Sequence, residues 1–450
     1  MASLATRLYW TAFVAWHTRG QSRLPYQPPE RHLAIQARRL RAIVAHAFAT
    51  VPFYRHTMRR LNLRPEDIRT VDDLALLPLI SGHDLASHPH RFQSSRFAPD
   101  DVLLTTSSGS TGHRKPVTYD HRTIVLSFAE GQRRRDVMAA LLGQAHHARV
   151  LEFRIVGCAM DKMTNFVKDY TVVPHRLRAN RLGVSPDVPP AKAAELINEF
   201  KPDLVHGYAA FVGAFFREAI TRNLLTHRPT VVFHHSEKMP EPDQALIERE
   251  LGATLVSSYA AAETLFIAWQ CQARCGFHID VDRVALRVVD RDGRTLPPGS
   301  RGEVVVSNLT NRATVLLNYR LGDLVTLSNV PCPCGRTLPT LDSIDGRSDD
   351  VVLLPDGTWV HGRTICAVLM RIEGLVQVQL HQQDIGQFVI RAVPALAADR
   401  AALAARLGME LRCLVGQDAA VAVDLVAVIP PEPSGKVRVV VRAPALAPRA

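Results

Sequence analysis

The sequence predicts an α/β protein with two lobes of unequal size: a large N-terminal lobe with a layered α/β part and a β-rich subdomain, and a small α+β C-terminal lobe. From about residue 100, apolar strand-like runs alternate with helical windows. Past residue 280 the pattern changes to short strands separated by tight turns. After Gly346, about a hundred residues carry a strand and helix pattern of their own. The predicted domains are therefore residues 1–345 and residues 346–450.

The helical part of the large lobe comes first. Between residues 28 and 90 the chain predicts helices joined by polar turns, and the helical spacing from Glu30 to Ala49 ends at Val51-Pro52-Phe53-Tyr54. Strands are then expected at 148–153, 204–207, 231–234, 254–257, 284–289 and 302–306, with helices at 190–200, 208–223 and 241–251. In the small lobe we expect a strand pair around Asp356-Gly357, helices near 363–372 and 396–408, and strands at 375–381, 387–392 and 420–429.

The composition is that of a globular protein with a basic excess. Hydrophobic residues make up 47% and charged residues 22% of the 450 residues, which is ample for the cores of two or three domains. The 54 basic and 43 acidic side chains leave a net charge of +11, which favours anionic ligands. The sequence carries no nucleic-acid-binding motif, so nucleic acid is not an expected partner. Salt-sensitive binding to DNA or RNA would favour that alternative.

The apolar, aromatic stretch from Leu8 to Trp16 lies near the start of the sequence. Thr11 interrupts it, Arg7 precedes it, and it is far shorter than the about 20 residues of a membrane span. We expect a helix that packs on the body of the protein, and the alternative is an anchor for a membrane or a partner. No transmembrane segment or signal peptide is expected, and the seven cysteines are an odd number, so a reducing, cytoplasmic location is predicted.

The stretch with the most specific chemistry is Leu104 to Val117, LTTSSGSTGHRKPV. Small residues let backbone amides approach a polyphosphate, hydroxyl groups donate further hydrogen bonds, and the lysine supplies positive charge. The stretch differs from a Walker A loop, because Arg114 precedes Lys115 and Pro116 follows it. On composition alone, a flexible linker rich in serine and glycine is the alternative.

Four further segments carry candidate binding groups. SSYAAAE, residues 257–263, has an aromatic ring four positions before a carboxylate, a pair that could stack on a base and hold Mg²⁺. YRLGD, residues 319–323, ends on an aspartate that could accept hydrogen bonds from ribose hydroxyls. GRSDD, residues 346–350, lies where the chain changes character and suits a hinge. PPEPSGKVRVV, residues 430–440, carries a lysine on a tight turn.

Together and in this order, the five segments resemble the adenylate-forming superfamily of acyl-CoA synthetases, adenylation domains and luciferases. The closest resemblance is to the phenylacetate–coenzyme A ligase-like branch, including its capsule-biosynthesis-type relatives, and it extends from the helical stretch that ends at Val51-Pro52-Phe53-Tyr54 to Arg438. It implies an enzyme that uses ATP and Mg²⁺ to activate a carboxylic acid, with a mobile C-terminal lobe. Two alanines depart from the family pattern, because a glycine commonly follows the tyrosine of the second segment and a Ser or Thr commonly precedes its glutamate. This chain has Ala260 and Ala262 there, which bears on rate and substrate more than on the reaction class.

The resemblance assigns ATP-binding roles to the first two segments. Tyr259 would stack on adenine, Ser236 and Glu237 would line the adenine site, and Glu263 would bind Mg²⁺. The first segment would cradle the β- and γ-phosphates through Thr105, Thr106, Ser107, Ser108, Gly109, Ser110, Thr111, Gly112 and Lys115.

The resemblance also assigns roles to the later segments. Asp323 would hold the ribose hydroxyls, with Arg347 nearby. Asp349 would be the hinge between the lobes. Lys436 would be the catalytic lysine, which bridges the acid and the α-phosphate oxygens in the first half-reaction. Such an enzyme acts mainly by positioning the reactants and neutralising the charge that builds on the phosphates.

A metal site is also predicted. Cys271, Cys275 and His278 lie within eight residues, and Cys332 and Cys334 follow about sixty residues later. Thiolates and imidazole suit tetrahedral Zn²⁺, and four such ligands make a closed structural site. Similar positions recur in this branch of the family. The predicted ligands are Cys271, His278, Cys332 and Cys334, with Cys275 in place of Cys271 as the alternative, and with free thiols as the interpretation that needs no metal.

The predicted overall reaction is acid, ATP and coenzyme A giving acyl-CoA, AMP and pyrophosphate. Transfer to a carrier-protein thiol or to an amine stays open, because the five segments concern the first half-reaction. A non-catalytic relative that binds ATP without releasing pyrophosphate is a further alternative, suggested by the two alanines. The acid itself is not readable, although the family favours an aryl or aryl-acetic acid and often forms homodimers. Its pocket is expected between about residues 120 and 265, a region that holds His206, Tyr208, His234 and His235.

Overall fold

The fold is that of a two-lobed α/β protein. The computed structural model describes residues 2–107, 115–144, 148–172, 180–236, 238–347, 351–354, 359–430 and 438–443. The predicted fold class is confirmed, since a large sheet-rich N-terminal lobe precedes a smaller C-terminal lobe with its own sheet. Across these described ranges, no helix has both the length and the apolar character needed to cross a bilayer.

The described residues form twelve α-helices and nineteen strands. The helices are α1 (Leu4–Thr18), α2 (Pro29–Thr50), α3 (Pro52–Arg60), α4 (Gly82–Ser87), α5 (His121–Glu130), α6 (Gln132–Leu142), α7 (Ala159–Tyr170), α8 (Pro190–Phe200), α9 (Ala209–Thr221), α10 (Glu241–Leu251), α11 (Gly362–Leu369) and α12 (Arg400–Val415). The strands are β1 (Val102–Ser107), β2 (Lys115–Asp120), β3 (Arg149–Phe153), β4 (Asn180–Val184), β5 (Leu204–Tyr208), β6 (Val231–His235), β7 (Thr254–Ala261), β8 (Leu265–Gln270), β9 (Phe277–Ile279), β10 (Val284–Val289), β11 (Arg301–Asn308), β12 (Tyr319–Leu327), β13 (Thr340–Arg347), β14 (Val351–Leu353), β15 (Trp359–His361), β16 (Leu375–Asp384), β17 (Gln387–Pro394), β18 (Ala420–Leu425) and β19 (Val440–Arg442).

One sheet of eleven strands runs through the N-terminal lobe, in the order β10-β11-β12-β13-β9-β8-β7-β6-β5-β3-β4. Strands β3 to β7 pair in parallel, as the alternation of strands and helices predicts. The direction changes at β7, which pairs in parallel with β6 and antiparallel with β8. The β-rich part past residue 280 therefore belongs to the same sheet as the parallel strands, because β8 pairs with the second edge of β7 and the later strands follow it in the sheet.

Buried apolar side chains form clusters that follow this architecture. The largest cluster joins the N-terminal helices to the antiparallel half of the sheet, from Leu40 on α2 to Trp269 on β8. A second cluster, which includes Phe216 on α9 and Val232 on β6, lies between the helices α8 to α10 and the parallel strands. Because the helices cover the sheet faces, the carboxyl ends of β5, β6 and β7 form an edge that can carry functional groups.

The first long helix is followed directly by another. The expectation that Val51-Pro52-Phe53-Tyr54 closes the first long helix is confirmed, because α2 ends at Thr50 and Pro52 begins α3. Proline fits the first helical position, where its missing N–H is not needed for an intrahelical bond. The buried Tyr54 hydroxyl donates to the carbonyl oxygen of Val315 at 3.2 Å and accepts from the amide of Leu317 at 2.7 Å. This helix is thereby fixed to the segment that leads into β12.

The C-terminal lobe has a four-stranded sheet, in the order β18-β17-β16-β19, with its own apolar core. Helix α12 begins at Arg400, later than the predicted residue 396. The Asp399 carboxylate caps it by accepting hydrogen bonds from the backbone amides of Ala401 and Ala402, at 3.0 and 3.1 Å. The predicted lobe boundary after residue 345 falls inside β13 and stays a prediction.

Candidate active site

The predicted phosphate-binding segment lies between two antiparallel strands. β1 and β2 pair as far as Ser107 with Lys115, so residues 108–114 connect their ends. Thr105 is fully buried, and its hydroxyl donates to the carbonyl oxygen of Val117 at 3.0 Å, so that it is used within the strand pair. Thr106 is exposed. Of Ser107 only the strand backbone is described, and five predicted positions lie outside the described residues: Ser108, Gly109, Ser110, Thr111 and Gly112.

Lys115 and Glu263, predicted from separate segments, meet in a buried cluster. Lys115 Nζ lies 2.8 Å from Glu263 Oε1. The Tyr319 hydroxyl donates to the same carboxylate oxygen at 3.1 Å and accepts from Lys115 Nζ at 3.2 Å. None of the three residues is more than 8% exposed, so little solvent screens their charges. The cluster places one cation and one anion where the phosphate-binding segment enters β2, which forms a separate two-stranded sheet with β1.

Tyr319, Tyr119 and Gly82 belong to this site although the sequence interpretation gave them no role. Tyr319 opens the YRLGD segment, in which only the aspartate was assigned. Lys115, Val117 and Tyr119 alternate along β2 and are all buried, a period-two signal that could have identified Tyr119. Gly82, at the start of α4, leaves room for the lysine, because a Cβ there would lie 3.1 Å from Lys115 Nζ.

The buried Tyr119 positions the backbone next to Glu263. Its hydroxyl donates to the carbonyl oxygen of Ala262 at 2.6 Å. Burial, and then the nearby Glu263 carboxylate, raise the pKa of Tyr119 well above its ordinary value, so this hydroxyl stays a hydrogen-bond donor. The backbone beside Glu263 is thus held although Ala262 lacks the hydroxyl that is common in the family.

The residues predicted to hold adenine and ribose also lie together. Tyr259, on β7, donates from its hydroxyl to Asp323 Oδ2 at 2.6 Å. Asp323 lies on β12 opposite Arg347 of β13, of which only the strand backbone is described. Three predictions from three distant segments therefore converge at one end of the sheet.

Ser236 follows β6 at the same edge. It adopts a left-handed backbone conformation (φ 75°), which is uncommon for a serine and is found mostly at turns and functional sites. Its hydroxyl lies 2.7 Å from His235 Nδ1, and His235 is the register neighbour of Ser258, next to Tyr259. Glu237 lies outside the described residues.

Imidazole and aromatic rings continue along this edge. The His235 ring lies 4.8 Å from that of His206 and 4.7 Å from that of Tyr208, between ring centroids. His206 Nδ1 is 3.6 Å from a carboxylate oxygen of Glu152 on β3. The interaction with the neighbouring His206 imidazole lowers the pKa of Glu152 to about 2, so this carboxylate is ionised at neutral pH. His234, the remaining histidine of the expected acid pocket, is buried.

Two predicted residues of the lobe movement, Asp349 and Lys436, lie outside the described residues. The chain that follows Lys436 is held on the small lobe, because the Arg438 carbonyl accepts from Gln379 Nε2 at 2.8 Å and β19 pairs with β16.

Four of the predicted zinc ligands come together in one cluster. The ligand atoms of Cys271, His278, Cys332 and Cys334 all lie within 4.8 Å of one another. Cys271 Sγ is 3.6 Å from Cys332 Sγ, and Cys334 Sγ is 3.3 Å from His278 Nε2. With Zn–S bonds of about 2.3 Å, a tetrahedral site requires sulfur atoms about 3.8 Å apart. The alternative ligand Cys275 is exposed and bonds the Ala273 carbonyl instead.

The surroundings of this cluster leave its imidazole neutral. Burial, and then the positive charge of Arg336, lower the pKa of His278 to about 4. Burial raises the pKa of Cys334, but hydrogen bonds from Arg336 outweigh this and hold it below its ordinary value. Burial raises the pKa of Cys332 to about 12 in the metal-free protein. A bound divalent cation would reverse that last shift, because it deprotonates a coordinating thiol outright.

Comparison with known proteins agrees with this geometry. Residues 25–311 match the AMP-binding enzyme family, and residues 352–443 match the CapK C-terminal domain. Phenylacetate-coenzyme A ligase of Thermus thermophilus is 29% identical over 374 residues, which cover 79% of each protein. The Escherichia coli enzyme of the same name is 27% identical over 339 residues, 71% of this chain and 72% of that protein.

A solved structure shows the same fold over nearly the whole chain. The crystal structure of a 2-hydroxyisobutyryl-CoA ligase in the postadenylation state covers 94% of this chain and 91% of its own, with 19% identity and a TM-score of 0.74. The AMP-binding family model alone spans more than half of the chain. The protein therefore belongs to the AMP-binding enzyme family, in the phenylacetate–coenzyme A ligase-like branch of the adenylate-forming superfamily.

Proposed function

We propose that this protein activates a carboxylic acid with ATP as an acyl-adenylate and then transfers the acyl group to coenzyme A. The observation that carries the proposal is the contact of 2.8 Å between Lys115 and Glu263, where the phosphate-binding segment enters β2. The hydrogen bond of 2.6 Å between Tyr259 and Asp323 joins β7 and β12 of the eleven-stranded sheet and supports a nucleoside site.

Glu263 and Lys115 would exchange partners when ATP binds with Mg²⁺. Protein sites usually hold Mg²⁺ through one or two carboxylates together with substrate phosphates, which is a role Glu263 can fill. Lys115, released from the carboxylate, would then pair with a phosphate oxygen. Because the lysine stays paired in both states, the exchange avoids leaving a buried cation without an anion. Tyr319 contacts both partners and would steady either arrangement.

In the first step an acid oxygen attacks the α-phosphorus, the bond to the bridging β-phosphate oxygen breaks, and pyrophosphate leaves. In the second step the thiol of coenzyme A loses its proton and attacks the acyl carbon, and AMP leaves with the bonding pair. In the proposal Lys436 neutralises charge in the first step, and rotation about Asp349 then admits the thiol. Residues 348–350 directly follow β13, the last strand of the large lobe.

We further propose that the acid carries an aromatic group. The rings of Tyr208, His206 and His235 line the strand ends beside Ser236, and ring stacking would hold an aryl or aryl-acetic acid there. The Thermus and Escherichia relatives are named for phenylacetate, which is an aryl-acetic acid.

The cysteine and histidine cluster is proposed to hold one structural Zn²⁺. Its four groups fill a tetrahedral shell, so no position remains for a water or substrate, and the ion would have no catalytic part. Its role would be to tie β8 and β9 to the loop between β12 and β13. A cytoplasmic location remains a proposal that rests on the cysteine content, and a homodimer remains one that rests on the resemblance.

The first experiment is acid-dependent exchange of pyrophosphate into ATP, over a panel of aryl, aliphatic and amino acids. We expect exchange with one acid class, and we expect it to disappear in Lys436→Ala. Exchange that persists in this variant would contradict the role of the lysine. Binding of ATP without exchange for any acid would favour the non-catalytic alternative.

The acyl acceptor is tested separately with the acid that supports exchange. Coenzyme A, a pantetheine-bearing carrier protein and amines are offered in turn, and release of AMP is measured. We expect coenzyme A to accelerate AMP release most. A faster reaction with the carrier protein or an amine would replace coenzyme A in the proposal and leave adenylation intact.

A further inference from the structure

The outer face of helix α1 is apolar over its whole length. Its exposed positions up to Trp16 recur at helical spacing and are all apolar: Leu4, Ala5, Leu8, Tyr9, Ala12, Ala15 and Trp16. The four large side chains among them, Leu4, Leu8, Tyr9 and Trp16, are 67%, 54%, 62% and 66% exposed. We call this surface the α1 stripe. Contiguous apolar patches of this kind on a protein mark a surface that another body covers.

The opposite face of α1 is already used by the protein itself. Trp10, Phe13 and Val14 pack against the large core. The polar groups of the helix also point inward, where Arg7 donates to the carbonyl oxygen of Thr171 at 3.1 Å and the Thr11 hydroxyl accepts from the Val172 amide at 2.8 Å. A helix that is apolar on both faces is expected to be buried on both. Helix α1 therefore differs from an ordinary surface helix, because it exposes its apolar side to water and turns its polar groups inward.

The surroundings of the α1 stripe are strongly basic. Residues 1–29 contain three arginines and no aspartate or glutamate. Arg19 lies over the Trp16 ring, 5.4 Å from its centroid, at the end of the α1 stripe. Beside the last turn of α1 there is a cavity of about 400 Å³ with no acidic side chain in its lining. It is lined by His17, Arg38, Arg39, Ala42, Ile43, Arg122, Leu126, Leu309, Thr310 and Arg312.

Three of the four arginines of this cavity are available to an anion. The fourth, Arg39, is paired with Glu130 and Asp282. Arg38, Arg122 and Arg312 form no ion pair within the described ranges, although Arg122 also lies over the Phe13 ring of α1. Guanidinium groups bind phosphate oxygens in a bidentate manner, and an apolar floor beside them suits a ligand with a hydrocarbon part.

We propose that the α1 stripe and this arginine cavity dock the enzyme on the surface of a membrane rich in anionic phospholipid. Leucine, tyrosine and tryptophan side chains of an interfacial helix enter the boundary between headgroups and acyl chains, and neighbouring arginines bind the phosphates. The net charge of +11 acts in the same direction. The helix lies on the surface and does not span the bilayer.

The charges argue against a second copy of the chain as the occupant. In a twofold interface the same surface meets itself, so an arginine-rich patch without acids would face its own like charges. Nucleic acid would satisfy the arginines, but it offers no apolar surface for Leu4 and Leu8. An anionic lipid surface satisfies both parts of the site at once.

The test is flotation of the full-length protein with vesicles of phosphatidylcholine alone or mixed with phosphatidylglycerol. We expect binding only to the anionic vesicles and a decrease as salt is raised. Leu8→Glu should abolish it. The double substitution Arg122→Gln with Arg312→Gln should weaken it roughly 20-fold or more, since each arginine near an anionic surface contributes about fivefold. Leu396→Glu is the matched control, because this leucine is fully exposed on the small lobe, and it should bind as the unchanged protein does.

Three results would overturn the proposal. The first is the absence of binding to anionic vesicles, and the second is binding that Leu8→Glu does not reduce. A dimer in light scattering that Leu8→Glu converts to monomer would likewise overturn it, by assigning the α1 stripe to a second copy. Pyrophosphate exchange measured without vesicles should be unchanged in Leu8→Glu, which separates this proposal from the catalytic one.

Discussion

The pairing of Lys115 with Glu263 predicts that stability and activity can be separated by substitution. Glu263→Gln removes the anion and leaves Lys115 as a buried cation. Lys115→Met combined with Glu263→Gln removes both charges and keeps the side-chain volumes similar. We expect the single variant to be unstable and inactive, and the double variant to regain stability but stay inactive.

The expected magnitudes follow from burial. The Lys115 and Glu263 side chains are 10% and 6% exposed, so solvent screens them little. Breaking a buried ion pair by removing one partner costs about 3–5 kcal/mol, and the Tyr319 hydroxyl, which still accepts from the lysine, places this case near 3 kcal/mol. Replacing both charges by neutral groups of like volume is often close to neutral, so the double variant should lie within about 1 kcal/mol of the unchanged protein.

Urea unfolding followed by tryptophan fluorescence, without ATP or Mg²⁺, measures stability, because Trp269 is buried in the large core. Glu218→Gln serves as the reference, since it neutralises an exposed ion pair with Arg222 and should cost less than about 1 kcal/mol. Acid-dependent pyrophosphate exchange measures activity, and loss of the Mg²⁺ carboxylate should reduce it by a factor on the order of a hundred or more.

Either of two results would refute this reasoning. If Glu263→Gln exchanges pyrophosphate at nearly the original rate, Glu263 does not hold the catalytic Mg²⁺. If the double variant is as unstable as Glu263→Gln alone, the lost stability does not come from an unpaired Lys115.

Three other predictions concern the metal cluster, the ribose site and the small lobe. Purified protein should contain about one zinc ion per chain by mass spectrometry. The Cys332→Ser variant should lose this zinc, whereas Cys275→Ser should retain it. Equal loss of zinc in both variants would contradict the ligand set. Tyr259→Phe should raise KM for ATP about fivefold with little change in kcat, because Asp323 loses one orienting hydrogen bond, and an unchanged KM would exclude this role. Lys436→Ala should retain ATP affinity in calorimetry while acid-dependent exchange is lost, whereas weaker ATP binding would point to a ground-state role.

Much of the fold could be predicted from sequence because its signals are local. The helices over 190–200 and 241–251 are found at the predicted bounds, since apolar spacing and an initial proline mark them. The predicted strand ends were less accurate. The strand expected at 254–257 is β7, which continues to Ala261 through the second segment of the family pattern. Pairing with β8, and not local propensity, extends this strand.

By itself, the sequence determined the reaction class, because the order of five short segments with the right chemical groups identifies the superfamily. Only the tertiary structure decided which of these groups touch. That Lys115 pairs with Glu263, that Tyr319 bonds both, and that Cys271 rather than Cys275 lies beside Cys332 all depend on how the sheets and loops of the large lobe pack together. Such contacts join residues that are far apart in the chain, so no local spacing encodes them, and the packing of the whole lobe determines them.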